Sequence, residues 1–286
     1  MTPCLSCVSL LAALSLAGPS HAWQDLDDRA LSAVSGRDGL NFNLQGFSLS
    51  GDLSLVYRAP GGQTLTLSSW AISRSDDPDH LYDDPYSLSV QQRPGGGADV
   101  IALDFPANAA GRVRWQAVAD LSVQAGGLTV QGGALQLQDL ALMGGGLRVS
   151  TPDTPGVEGI ALGLGLRAEL GALVLRPRGR DVATEELRLS GLRVAAAAAD
   201  GTLQASPWVL ADVSRQPLLM RAMQDAKGPA LQFLLDWHRD GEAPLGGLAI
   251  DSLRFVSDTG TSLDLGSSRI GTMQLQYLDL RLRPGP

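Results

Sequence analysis

The feature that most constrains this chain is a short apolar alternation recurring from Leu40 onward: "LNF", "LSL", "LTL", "LSV", "LTV", "LQL", "LRV", "LGL", "LVL", "LRL", "LDL". Apolar residues two apart, bounded by Gly and Pro, put alternate side chains on one side of an extended backbone, so these segments read as strands half buried on one face. The expected fold class is mainly β: an elongated twisted antiparallel meander with a short N-terminal helix and one helix pair near 217–239.

In "DLSVQAGGLTVQGGALQLQDLALMGGGLRVS", residues 120–150, Leu121, Leu128, Leu135 and Leu142 recur every seven residues. Heptad leucines suggest a coiled coil, but each glycine inside a helix costs about 1 kcal/mol. Glycine pairs instead supply the positive φ of tight hairpins, so Gly126 with Gly127, and Gly132 with Gly133, read as turns between short antiparallel strands. A β-solenoid would sustain a fixed period, whereas this spacing fades after Leu142. A transmembrane barrel needs strands of about 9 to 11 residues and aromatic girdles; these strands read as shorter, and aromatics make up 5% of the chain.

One segment interrupts the alternation. In "QPLLMRAMQDAKGPALQFLLDWHRDGE", residues 216–242, Pro217 and Pro229 suit first helical turns, Gly228 suits a helix end, and Leu231, Leu234 and Leu235 follow helical spacing. The segment predicts a helix pair over 217–239 packed across the sheet.

The first 22 residues carry no charged side chain, hold an apolar run over 8–17 and end in Ser20, His21 and Ala22. That is the pattern of a secretory signal peptide cleaved between Ala22 and Trp23, with an apolar core too short for the roughly 20 residues of a membrane span. The expected organisation is a signal peptide at 1–22, a helical lead-in at 23–39 and a β-rich domain at 40–286 that includes the helical insert 217–239. The protein is expected to be exported, to the periplasm, the outer membrane surface or the medium, with no transmembrane segment after cleavage. Both cysteines, Cys4 and Cys7, fall in the signal, so the mature chain has no disulfide. A net charge of −8, with Lys227 the single lysine and no basic stripe, argues against nucleic-acid partners and anionic membrane surfaces.

The most polar cluster is "RSDDPDHLYDDPY", residues 74–86. Its carboxylates make Asp76, Asp77, Asp79 and Asp83 candidate metal ligands, since calcium takes six to eight oxygens. The spacing misses the calcium-loop pattern, and Asp before Pro is ordinary turn chemistry, so a solvated loop is the first reading. His80 and His238 are the histidines left after the signal, and neither stands beside a nucleophile pattern such as Gly-x-Ser-x-Gly. The runs "RPGGGAD" and "MGGGLR" lack the Lys and Ser/Thr of a phosphate loop. No catalytic residue and no cofactor are assigned, although a distant pair of carboxylates serving glycoside hydrolysis leaves no local motif. Trp70, Trp115 and Trp208 lie in strand contexts where aromatics serve a core or a binding surface.

"LDDRALSAVSG", residues 26–36, reads as a capped helix: Asp27 is a suitable N-cap, Leu26 and Leu31 make a hydrophobic staple, and Gly36 ends the helix. This stretch resembles the start of exported bacterial pilus-system proteins of the FilA type, in which a signal peptide precedes "Leu-Asp-Asp-x-x-Leu-x-x-Val-x-Gly-x-x-Gly-Leu". Leu26, Asp27, Asp28, Leu31, Val34, Gly36, Gly39 and Leu40 match that pattern. The resemblance implies a surface or envelope role, with envelope or pilus proteins as partners, and no reaction. The leading expectation is a non-enzymatic accessory to pilus or surface-fibre assembly; the alternative is a periplasmic carrier that binds a lipid or other apolar ligand in a curved sheet. A carrier requires a continuous apolar face open to solvent, whereas the accessory predicts filled cores and polar faces.

Overall fold

The computed structural model describes residues 39–286 apart from 60, 77–84, 94–96, 155, 183, 238–241 and 284–286. The signal peptide, its cleavage site at Ala22 and Trp23, and the helical lead-in up to residue 38 lie outside the described residues.

The described chain is mainly β and builds one open antiparallel sheet of 18 strands. In chain order these begin with β1 (Leu40–Phe42), β2 (Ser48–Gly51), β3 (Leu55–Arg58), β4 (Thr64–Arg74), β5 (Tyr86–Gln91) and β6 (Val100–Asp104). Four longer strands follow: β7 (Trp115–Ala125), β8 (Leu128–Ser150), β9 (Ile160–Arg176) and β10 (Leu187–Ala196). The remainder are β11 (Trp208–Ala211), β12 (Leu218–Asp225), β13 (Gly228–Asp236), β14 (Gly246–Ile250), β15 (Ser252–Val256), β16 (Ser262–Asp264), β17 (Ser268–Met273) and β18 (Tyr277–Leu282).

The β8–β9 pair is the spine, in register from Ala134 opposite Arg176 to Ser150 opposite Ala161. The sheet forks on both sides of it. Along the free edge of β8, β7 takes the first part and leads to β4, on which β2 and β3 pair end to end, while β6 takes the last part and leads to β5 and β1. Along the free edge of β9, β10 leads to β14 and β15 and then to β17 and β16, while β11 and β12 take the other part, β12 leading to β13 and β18. These end-to-end pairings depart from a plain meander. β8 at 23 residues and β9 at 17 also exceed the short strands expected from the sequence.

The helix pair expected over 217–239 is corrected: the segment is the β12–β13 hairpin. Asp225 opposes Gly228 across a loop of Ala226 and Lys227, and the Asp225 carboxylate accepts the Lys227 backbone N–H at 2.8 Å. Gly228, with φ of 103°, closes this turn rather than a helix. Leu, Met, Gln and Ala favour a helix by only tenths of a kcal/mol each. The flanking strands β9 and β18 supply a backbone partner on each outer edge, and Ala230 and Gln232 are buried while Leu231 between them is exposed, a two-residue period.

The two glycine pairs behave differently. Gly126 and Gly127, φ 57° and 81°, form the expected two-residue hairpin loop between Ala125 and Leu128. Gly132 and Gly133 make no turn; they form a bulge inside β8, where Leu121 opposes Gly133 and Ser122 opposes Gln131. Further irregularities run across the sheet as a seam. β4 gains one residue between Ser68 and Ala71, with Ser69 at φ 52°; Asp139 and Gly171 stand where the β8–β9 pairing skips; Gly191, φ 63°, lies against Asp251. The β8–β9 and β9–β10 registers run unshifted across Asp139, Gly171 and Gly191, so these strands change phase together there, which keeps the apolar residues before and after on the same side.

Candidate apolar binding face

Residues directly opposite in an antiparallel pair point to the same side of the sheet. The registers therefore assemble the separate apolar dyads into transverse rows. One row runs Ala119, Leu135, Leu175, Leu187, Phe255 and Leu263 across β7, β8, β9, β10, β15 and β16. Beside it run Ala117, Leu137, Leu173, Leu189 and Leu253. At the other end of the spine the rows are Leu40, Leu88, Leu103, Leu147 and Leu164, then Val90, Ile101, Val149, Leu162 and Leu218. A further row joins Ile160, Met220, Phe233 and Leu280. With strands ~4.8 Å apart, the six-strand row alone runs about 24 Å.

These rows lie on one face, and nothing in the described chain covers most of it. Most leucines on the spine are half-buried, Leu170 alone being buried among those of β9, and the rims are open: Phe255 is 43% exposed and Leu263 60%. Among the described residues the large side chains buried below 2% are Leu235, Val174 and Pro106. Monomeric proteins rarely leave contiguous apolar patches above a few hundred Å².

The face is closed only at the two forks. At the β8 fork, Tyr86 stacks on Phe42 with centroids 5.7 Å apart and meets Phe105 edge-on at 6.3 Å. Trp115 donates its Nε1–H to the Tyr86 hydroxyl at 3.0 Å, meets Phe47 at 5.8 Å and carries the Arg74 guanidinium over its ring. Burial holds the Tyr86 hydroxyl above its ordinary pKa. At the β9 fork, Leu235, Trp237, Ala211 and Ala243 form a cluster with Leu218, Leu275 and Leu278. Trp208 lies against Gly246, where any Cβ would collide with its ring, and donates Nε1–H to the Pro244 carbonyl at 2.9 Å. Trp115 and Trp208 thus fill the forks rather than face a ligand.

The opposite face mixes polar with small apolar side chains and is buried at its centre, and near the far end of the spine it carries a cluster of Val100, Ala161 and Val213 with Leu219. Val174, Ala172 and Ala134, all at or below 3% exposure, lie on this side, where Arg180 and Glu186 are bonded back to the strands. Gln136 donates to the Arg180 carbonyl at 3.1 Å, Arg180 bonds Asp120 at 2.7 Å, and Arg176 bonds Glu186 at 3.2 Å. A groove of about 520 Å³ on this side has Gly145, Gly163 and Gly165 in its lining. Its charged groups are already engaged: Arg148 pairs with Asp104, and Asp212 accepts the backbone N–H of Ser214 and Arg215.

Of the candidate metal ligands, Asp77, Asp79 and Asp83 lie outside the described residues, as do Asp84, His80 and His238. Asp76 is described, and its carboxylate is taken up by the fork: it binds the Arg74 guanidinium and accepts the Arg114 backbone N–H at 2.8 Å. Among the described residues, no three His, Cys, Asp or Glu side chains gather as a metal site, and no helix is long and apolar enough to cross a membrane. The apolar face is what residue-by-residue reading missed, because it arises from register. No family model, curated protein or solved structure matches this chain.

Proposed function

We propose that this is an exported, non-catalytic envelope protein whose leucine face holds a ligand built of long hydrocarbon chains, the chemistry of an acyl lipid. The observation that carries the reading is the set of apolar rows, aligned strand by strand and left half open. The rows contain no polar side chain, so an acyl chain fits them while a polar headgroup is left at the rim. Fully burying a leucine is worth about 1.5–3 kcal/mol, and completing the burial of several half-exposed ones gives a ligand ample affinity. The signal-like first 22 residues support export.

The test is mass spectrometry of organic extracts from protein purified out of its native envelope, followed by titration of delipidated protein with a fluorescent long-chain fatty-acyl probe. Co-purifying acyl lipid and saturable probe binding are expected. A lipid-free, folded preparation that ignores the probe overturns the reading.

The accessory to pilus or surface-fibre assembly, which the FilA-type resemblance implies, is favoured by a separate observation. β3, β16 and β18 are edge strands with Leu55, Leu263 and Leu280 exposed, and such edges accept added strands. Recovery of a defined envelope or pilus protein by crosslinking in intact cells would favour this second reading.

A further inference from the structure

We propose that β18 is a self-pairing edge, joining β18 of a second copy antiparallel about a two-fold axis at Leu280. Among the described residues β18 pairs with β13 alone, from Leu282 opposite Leu231 to Tyr277 opposite Asp236. The register continues to Trp237, whose N–H donates to the Gln276 carbonyl at 2.9 Å. Backbone groups in an antiparallel ladder alternate between the two neighbours, so those of Leu278, Leu280 and Leu282 turn toward β13. Those of Tyr277, Asp279 and Arg281 point outward, without a strand to meet them.

The sequence of this edge is its own complement. Around an axis at Leu280, Asp279 of one copy falls opposite Arg281 of the second, and Arg281 opposite Asp279. Both are the outward-facing positions that exchange hydrogen bonds in an antiparallel pair. On the other side of the strand Leu278 falls opposite Leu282, and Leu280 opposite itself. Leu280 and Leu282 are 47% and 50% exposed, and the pairing would continue the Leu278, Leu280, Leu282 side of β13 and β18 from one copy into the next.

Charges on edge strands ordinarily discourage pairing. Here the opposite signs sit two residues apart and Arg281 already donates to Asp279 of its own strand at 2.6 Å, so pairing two copies repeats that attraction across the axis. The other edges lack this arrangement: β3 ends in the single charge of Arg58, β16 carries Asp264 alone, and β17 Arg269 alone. An isologous contact of this kind closes as a dimer rather than a filament.

Sedimentation equilibrium of the intact mature chain, over the full soluble concentration range, tests the pairing. The expected result is a concentration-dependent doubling of mass. Arg281→Pro removes one outward N–H, and proline is tolerated where a strand's N–H side faces solvent, so this variant keeps its far-ultraviolet circular dichroism and sediments as a monomer. Asp279→Arg and Arg281→Asp each place like charges opposite one another and are expected to be monomers alone; mixed in equal amounts, they restore the doubled mass. A wild-type chain that stays monomeric throughout, a dimer that survives Arg281→Pro, or a mixture that fails to associate overturns the proposal.

Discussion

The two sides of the spine are made from the same strands and reach opposite outcomes. On one side Ala134, Ala172 and Val174 are small and almost fully buried, and Arg180 and Glu186 are tied back to the strands by bonds to Gln136, Asp120 and Arg176. On the other, Leu135, Leu137, Leu173 and Leu175 are large and remain half exposed. The difference teaches that apolar bulk and burial are separate matters in a one-layer sheet. The small-residue side is buried within the described chain, while the leucine side keeps surface that something outside the described chain is needed to cover.

The comparison is broken most severely at the bulge that keeps the sides distinct. Gly133 adopts φ of 84°, and a Cβ there would collide with the Arg176 carbonyl oxygen. Gly133→Val is expected to cost roughly 4 kcal/mol or more, since both the backbone conformation and the β8–β9 contact are lost. The readout is absence of a cooperative thermal transition in the soluble fraction.

A matched pair of substitutions sharpens the same comparison. Val174→Ala removes buried methyl groups from the buried side and is expected to cost about 2 kcal/mol in urea unfolding. Leu175→Gln, one residue along and on the open side, is expected to cost about 1 kcal/mol, because its side chain is only partly buried. Its larger effect falls on ligand binding: a polar atom inside the apolar row lowers affinity for a fatty-acyl probe about tenfold, equivalent to about 1.4 kcal/mol. Equal stability losses at both positions, with unchanged probe binding, would remove the distinction.

The seven-residue leucine spacing shows how much of this was legible. Seven is odd, so in a regular two-residue period Leu128, Leu135 and Leu142 would alternate between faces. They share a face because each interval contains one change of phase, at Gly132 and near Asp139. The alternation and the Gly126–Gly127 turn could be read locally, and both predict a β protein. The bulges were hidden because a glycine pair has the same composition in a turn and in a bulge; only the partner strand decides. Likewise 217–239 has helix-favouring residues, and the outer partners β9 and β18, remote in sequence, made it a hairpin. The apolar face was the least legible feature, since each dyad of two or three residues is unremarkable until registers from many strands align it. Asp76, read as a candidate calcium ligand, is drawn instead into the aromatic fork by Arg74, the last residue of β4, 2 residues earlier in the chain.

The smallest expected effect concerns the polar side at the sheet's edge, where charge secures the strands. Asp225, at the β12–β13 turn, is held down to a pKa of about 2 by its bond to Arg283, then by the Lys227 backbone N–H. Asp279 is lowered by Arg281 and by the Gln232 side chain, which donates to it at 2.8 Å. A carboxylate whose folded pKa lies below its unfolded value stabilises the fold fully above the unfolded pKa of about 3.9, and that contribution fades as pH falls toward the folded value. The turn's contribution is therefore constant from neutral pH down to about 4 and declines between about 4 and 2. The side chains are partly exposed and screened by salt, so the effect on the melting temperature is modest. Thermal melts at stepped pH compare the wild-type chain with Asp225→Asn, which is expected to be less stable at pH 6 and to converge on the wild type near pH 2. A constant gap between the two curves across that range would mean that the Asp225 ion pair does not contribute through its charge.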